Sequence, residues 1–208
     1  MALFITFEGI EGSGKSTHLR ALAARLQEMG HAVVATREPG GTPAGAAIRA
    51  LLLGGERVPL SPLAELFLYC ADRTQHVREV VRPALEAGRI VLCDRFSDST
   101  IAYQGFGRGL DLATVRALDA HARDGVSPDL TFLLDCAVEE GLVRAGRRAS
   151  ATDRFEREAH AFHERVRAGF LTLAREAPAR FVVLDAHAPL ETVQQRVSKE
   201  LQRRLAHR

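Results

Sequence analysis

Much of what this 208-residue chain is can be read from what it lacks. No apolar run approaches the roughly 18 residues a membrane-crossing helix needs, so no membrane partner is expected. The N-terminus enters a strand-like run at once, so no secretory leader is expected. Cys70, Cys93 and Cys136 are an odd number, widely spaced, with no C-x-x-C pair. That pattern argues against a disulfide framework or a zinc site, suits a reducing cytoplasm, and leaves the three expected as buried packing residues. His18, His31, His76 and the other five histidines form no metal-ligand spacing and are expected at the surface or in local structure. A net charge of +2 is too small to argue for nucleic acid. Lysine is almost missing, since Lys15 and Lys199 are the only two among 28 basic residues. No repeat, low-complexity tract or linker divides the chain, so residues 1–208 are read as one domain with a sizeable core.

One of the two lysines stands in Gly9-Ile10-Glu11-Gly12-Ser13-Gly14-Lys15-Ser16, which matches G-x-x-x-x-G-K-[ST]. The flanks match too: a buried-strand run, Leu3–Phe7, precedes it, and a helical pattern follows from Thr17 to Met29, with Gly30 placed to end it. Such a loop converges backbone N–H groups on phosphate oxygens at the positive end of a helix. Lys15 suits the β- and γ-phosphates as a flexible point charge, and the Ser16 hydroxyl suits magnesium. Gly9, Ile10, Glu11, Gly12, Ser13, Gly14, Lys15, Ser16 and Thr17 are therefore the expected nucleotide-binding residues. The motif implies binding of a nucleoside triphosphate.

Five apolar runs stand out: Leu3–Phe7, Ala32–Thr36, Ile90–Cys93, Leu130–Leu134 and Phe181–Leu184. They are nearly continuous rather than alternating, as expected of parallel strands covered on both faces. Helical spacing occupies roughly 15–29, 43–53, 61–86, 111–124, 157–176 and 189–206. The alternation predicts an α/β three-layer fold with a five-stranded, mostly parallel sheet, whose ligands gather at the carboxyl ends of the strands.

Residues after each strand are therefore the candidates for chemistry. After the second run, Arg37-Glu38-Pro39-Gly40-Gly41-Thr42 turns into a helix carrying Arg49, either a solvated charge or a phosphate ligand. After the third come Asp94-Arg95-Phe96-Ser97-Asp98-Ser99-Thr100 and Tyr103-Gln104-Gly105. Asp94 is placed either to bind Mg²⁺ through water or to cap the next helix. Residues 144–158 hold Arg144, Arg147, Arg148, Arg154 and Arg157 among small residues. They read either as a solvated charged stretch or as a mobile flap that closes over ATP. Asp185–Pro189 is a loop suited to flank an adenine.

A switch GTPase would show N-K-x-D, and a transport ATPase would show L-S-G-G-Q and a strand ending Asp-Glu. None of these occurs. The combination Phe7-Glu8-Gly9, Thr36-Arg37-Glu38-Pro39-Gly40-Gly41-Thr42, Ala71-Asp72-Arg73 and Asp94-Arg95-Phe96-Ser97-Asp98-Ser99 resembles the thymidylate kinase family. So do Ala102-Tyr103-Gln104-Gly105, Gly107-Arg108-Gly109 and Asp153-Arg154-Phe155-Glu156, and the matches run in order over nearly the whole chain. Glu11 in the loop and an arginine-rich flap resemble the bacterial branch, in which a lid, here about 144–156, supplies the catalytic arginine.

The resemblance implies a P-loop nucleoside-monophosphate-kinase-like domain that transfers the γ-phosphoryl of ATP to dTMP with Mg²⁺. It also implies a cytoplasmic homodimer. Carried over, Lys15, Asp94, Arg95, Glu11, Arg148 and Arg154 are the catalytic set, with Ser16 and Asp94 at the metal. Arg49 and Arg95 would grip the dTMP phosphate, Tyr103 would pack on the deoxyribose, and Arg73, Thr100 and Gln104 would read thymine. Glu38 and Ser99 belong to the same acceptor pocket, and Tyr69 stands where the family stacks a phenylalanine on the base. The alternatives are another nucleoside or nucleoside-monophosphate kinase and a non-catalytic ATP-binding regulatory module.

Overall fold

The computed structural model describes residues 2–54, 59–146 and 158–206. Strands β1 (Leu3–Glu8), β2 (Val33–Arg37), β3 (Ile90–Asp94), β4 (Leu130–Asp135) and β5 (Phe181–Asp185) pair in the order β2-β3-β1-β4-β5. Every pairing is parallel, so the sheet expected to be mostly parallel is wholly so. The helices are α1 (Lys15–Glu28), α2 (Pro43–Leu53), α3 (Pro62–His76), α4 (Arg82–Glu86), α5 (Ser97–Thr100), α6 (Leu112–Arg123), α7 (Val138–Gly146), α8 (His160–Glu176) and α9 (Leu190–Ala206).

Alternation along β1 splits the core in two. Leu3, Ile5 and Phe7 pack with Leu19, Leu22 and Leu26 of α1 and with Val193 and Val197 of α9. Phe4 faces the other way, with Val77, Val81 and Ala84. Phe162, Val166 and Phe170 of α8 complete that second layer. Burial on both faces holds for the three central strands but not for β2 and β5, whose edge positions leave several side chains partly exposed.

Local chemistry sets the helix boundaries. The side chains of Thr42, Ser61 and Asp111 accept hydrogen bonds from the N–H groups of Gly45, Ala64 and Thr114, and Pro43 and Pro62 open their helices. Gly30, at φ +82°, takes the left-handed turn that follows α1.

The helix expected over 61–86 is interrupted by a π-helical turn, Val77–Val81, just before Pro83. Proline has no N–H and its ring crowds the carbonyl four residues back, so the widened turn accommodates it. Two helical stretches had no periodic signal. The first is α5 with the π-helical segment Ile101–Gly107, where glycine and short polar residues mask the pattern. The second is α7, which places Arg144 in a helix rather than in a loop.

Candidate active site

The ends of β1, β2 and β3 lie level, because Asp94 pairs in register with both Phe7 and Arg37. Arg95 N–H donates to the Phe7 carbonyl and Glu38 N–H to that of Asp94, both at 3.0 Å. The segments leaving these strands therefore converge on one cleft of about 400 Å³. Glu11, Gly12, Lys15, Ser16, Glu38, Arg49, Tyr69, Arg73, Asp94, Arg95, Ser99, Thr100, Tyr103 and Gln104 all line it. Gly9, Ile10, Ser13, Gly14 and Thr17 form the loop and first helical turn that carry the others. Arg148 and Arg154 lie outside the described residues, as do Arg147 and Arg157.

The loop after β1 depends on backbone that side chains would obstruct. Gly9, Gly12 and Gly14 have φ of +136°, +71° and +95°. A Cβ on Gly12 would lie 1.9 Å from the Gly141 carbonyl oxygen, and one on Gly141 would lie 2.6 Å from that of Glu11. The loop therefore rests directly on the backbone of α7. Lys15 Nζ donates to the carbonyls of Gly9 (3.0 Å) and Ile10 (2.7 Å). Burial, with Arg95 next in effect, pushes its ammonium down to about 8.

Ser16 Oγ donates to Asp94 Oδ2. Asp94 therefore contacts the loop across the cleft, whereas α5 has no side-chain cap. A hydroxyl and a carboxylate in contact make a hard oxygen pair that suits Mg²⁺.

Arg95 holds φ +71°, a strained conformation for a residue with a side chain. Its Nη1 donates to the Gly9 carbonyl and Ser99 Oγ, and its Nη2 to Glu11 Oε1 at 2.8 Å. The guanidinium lies 5.0 Å from the centre of the Tyr103 ring, whose hydroxyl also donates to Glu11 Oε1, at 2.6 Å. Burial pushes the Tyr103 phenol well up, which keeps the donor proton in place. Burial alone would raise the Glu11 carboxyl, but Arg95, His163, Lys15 and Tyr103 around it hold it at about 2.

The other wall is a buried network. Arg73 is 1% exposed. Its Nε donates to Glu38 Oε2 and its Nη1 to Thr100 Oγ1 and Asp119 Oδ1, each at 2.9 Å. Glu38 Oε1 meets His76 Nδ1 at 2.8 Å, so both oxygens of Glu38 serve to hold this wall. Asp72 Oδ1 accepts from Gly40 N–H. The Ala71-Asp72-Arg73 and Arg37–Thr42 blocks are thus two halves of one contact. Arg49 reaches back to the Pro39 carbonyl at 2.9 Å. Gln104 donates to Glu65 Oε1, which Arg108 also holds.

Sequence reasoning missed several supporting residues. Asp119 and Glu65 are carboxylates on buried helix faces, a signal that periodicity alone could have raised. Glu8 is fully buried and accepts from Phe96 N–H and Ser99 Oγ, and burial, followed by Asp98, pushes its carboxyl up to about 8. His18, His76 and His163 are buried rather than superficial. Cys93 and Cys136 are buried as expected, but Cys70 is only partly so. Arg144 donates to the Ala186 carbonyl at 3.1 Å, which ties α7 to the 185–189 loop. Away from the cleft, side-chain ligand atoms of Glu139, His160 and Glu164 gather within 4.8 Å of one another at the surface.

Comparison with known proteins bears on the whole chain. The family model described as thymidylate kinase matches residues 7–197. A thymidylate kinase from Trichlorobacter lovleyi is 54% identical, over 98% of this chain and 99% of its own length. One from Geobacter sulfurreducens is 50% identical over the full length of both. The crystal structure of thymidylate kinase from Ehrlichia chaffeensis superposes with a TM-score of 0.78 at 37% identity, covering 96% of this chain and 98% of its own. A family model that matches most of the chain, and relatives about half identical over nearly its whole length, show the family: this chain belongs to the thymidylate kinase family.

Proposed function

We propose that the chain transfers the γ-phosphoryl group of ATP to dTMP, giving dTDP and ADP. The observation that carries this reading is that the loop after β1 and the Arg73 wall open onto the same cleft. The two substrates would therefore meet between Lys15 and Arg95. In this reading Lys15 exchanges its carbonyl contacts for β- and γ-phosphate oxygens. Arg95 and Arg49 hold the acceptor phosphate. Tyr103 closes over the sugar, and Tyr69 stacks on the base while Arg73, Thr100 and Gln104 present donors and acceptors to its edge. Ser16 and Asp94 are the residues that would hold Mg²⁺, which when bound supplies charge neutralisation between phosphates.

Arg148 and Arg154 are proposed to bring positive charge to the transferring group. The expected assembly is a homodimer. Its support is a set of exposed apolar side chains, Leu51 at 48%, Leu63 at 46% and Phe67 at 52%, on α2 and α3, which pack together. Three free thiols suit a reducing, cytoplasmic setting. No helix among the described residues is long and apolar enough to cross a membrane.

The test is an ADP-release assay across dTMP, dUMP, dCMP, AMP, GMP and thymidine. Turnover should be highest with dTMP. Preference for another acceptor would make this a different nucleotide kinase, and ATP binding with no turnover on any acceptor would make it a regulatory module. Phe67→Glu should shift the sedimenting species from dimer to monomer, and a monomeric wild type removes the assembly proposal.

A further inference from the structure

His163 is fully buried in the first turns of α8, and among the described residues neither of its ring nitrogens has a hydrogen-bond partner. Buried polar groups are rarely left so. Its Nδ1 lies 3.5 Å from Glu11 Oε2, which is likewise buried and without a hydrogen-bond partner. That distance is too long for a formed hydrogen bond, yet closing it requires a carboxylate movement of under about 1 Å. The other oxygen of Glu11 is fully used, by Arg95 Nη2 at 2.8 Å and Tyr103 Oη at 2.6 Å. Glu11 is thus held on one side by a cation and faces on the other an imidazole that helps to keep it ionised without a formed hydrogen bond.

The arrangement acquires a purpose once a phosphate reaches Arg95, a step that rests on the acceptor-site reading above. A phosphate dianion competes with Glu11 for the same guanidinium, and the two anions repel. We propose that His163 is a positioning residue for Glu11: as the acceptor phosphate draws Arg95 away, the Nδ1–H of His163 takes over the carboxylate. The imidazole thereby keeps Glu11 in the cleft, and Arg95 is released to the substrate without leaving a buried carboxylate unpaired. Tyr103 stays on Glu11 Oε1 throughout and fixes the pivot. Its ring is braced edge-on against Phe162, the residue before His163.

The test compares His163→Phe with His163→Asn, because an asparagine amide nitrogen takes the place of Nδ1 and phenylalanine supplies no donor. His163→Phe should raise the KM for dTMP by about tenfold and leave that for ATP unchanged, while His163→Asn should stay within about threefold of the parent. In a Glu11→Gln background the phenylalanine change should add nothing further. Equal behaviour of Phe and Asn, or additivity with Glu11→Gln, reduces His163 to packing and overturns the proposal. Should the variants fold poorly, ¹⁵N-histidine spectra of the unmodified protein decide. The His163 Nδ1 resonance should move to a hydrogen-bonded shift on addition of dTMP, and a resonance unmoved at saturation rejects the hand-over. A parent protein that does not turn over dTMP refutes the acceptor reading itself. A parent that does, beside an unaffected His163→Phe, refutes only this inference.

Discussion

The two ends of the cleft are built on different terms. At the end proposed to take the base, Arg73 is buried and committed to Glu38, Asp119 and Thr100. At the end proposed to take phosphate, Lys15 and Arg95 are spent on carbonyl oxygens of the loop after β1 and on Glu11. The first arrangement would present a fixed edge to a base. The second holds its cations in bonds that a phosphate can replace, so charge is kept satisfied until substrate comes. In the proposed reading, shape is set in advance where a neutral heterocycle would be read, and exchange is set up where charge would be transferred.

Four measurements break or sharpen that contrast. The largest effect is expected at the exchange end: Lys15→Ala should lower kcat by at least about a thousandfold while the protein stays folded, since its charge is needed as phosphate charge redistributes. Near-normal turnover in a folded variant would refute phosphoryl transfer through this loop. At the fixed end the signature should be stability. Arg73→Ala strands the buried Glu38 and Asp119 and should cost about 3–5 kcal/mol in urea unfolding. A loss confined to dTMP affinity, with unchanged stability, would mean the network is not structural.

Smaller effects follow at the boundary between the two ends. Tyr103→Phe removes one of the two donors on Glu11 Oε1 and should lower kcat/KM for dTMP by about tenfold, leaving the KM for ATP alone. Tyr103→Ala should in addition lower the preference for dTMP over ribothymidine monophosphate, and an unchanged ratio would assign sugar exclusion elsewhere.

The smallest effect is a slope with pH. Lys15 titrates near 8 in the free protein, so kcat/KM for ATP should fall as pH rises through about 8. Stability should move oppositely, because the unfolded lysine, at its ordinary 10.5, holds more protons than the folded one. This group therefore favours the fold increasingly from about 8 upward to 10.5. Glu8 titrates in the same window. Glu8→Gln removes it, and the activity slope should persist in that variant. If it vanishes, Glu8 and not Lys15 sets the profile.

The strands were legible because continuous apolar runs in a parallel sheet leave little alternative, and the phosphate loop because glycine spacing is dictated by backbone geometry. The acceptor wall was legible through its motifs, not through its physics. Nothing local in Ala71-Asp72-Arg73 tells that Arg73 is matched by carboxylates 35 residues before and 46 after it. A far longer separation in sequence hid His163, whose helix gives no local sign of facing Glu11. Tyr103 and Gln104 were found as residues, but the wide helical segment that bears them was not. Gly105 and Gly107 there make room for Leu112, Phe162 and Val166, a packing demand that looks like helix-breaking composition.

The glycine-on-glycine seat between the phosphate loop and α7 sets a limit on what may be exchanged in this scaffold. Gly12 and Gly141 leave no room for even a methyl group, so the helix cannot slide along the loop without lifting it. The seat of α7 is therefore gauged against the loop after β1 to within an atom's width. Helix α7 behaves as a replaceable part on a non-negotiable joint. A graft from a relative that keeps Gly141 should seat at once. One that brings alanine there would need the whole loop to be recut around it.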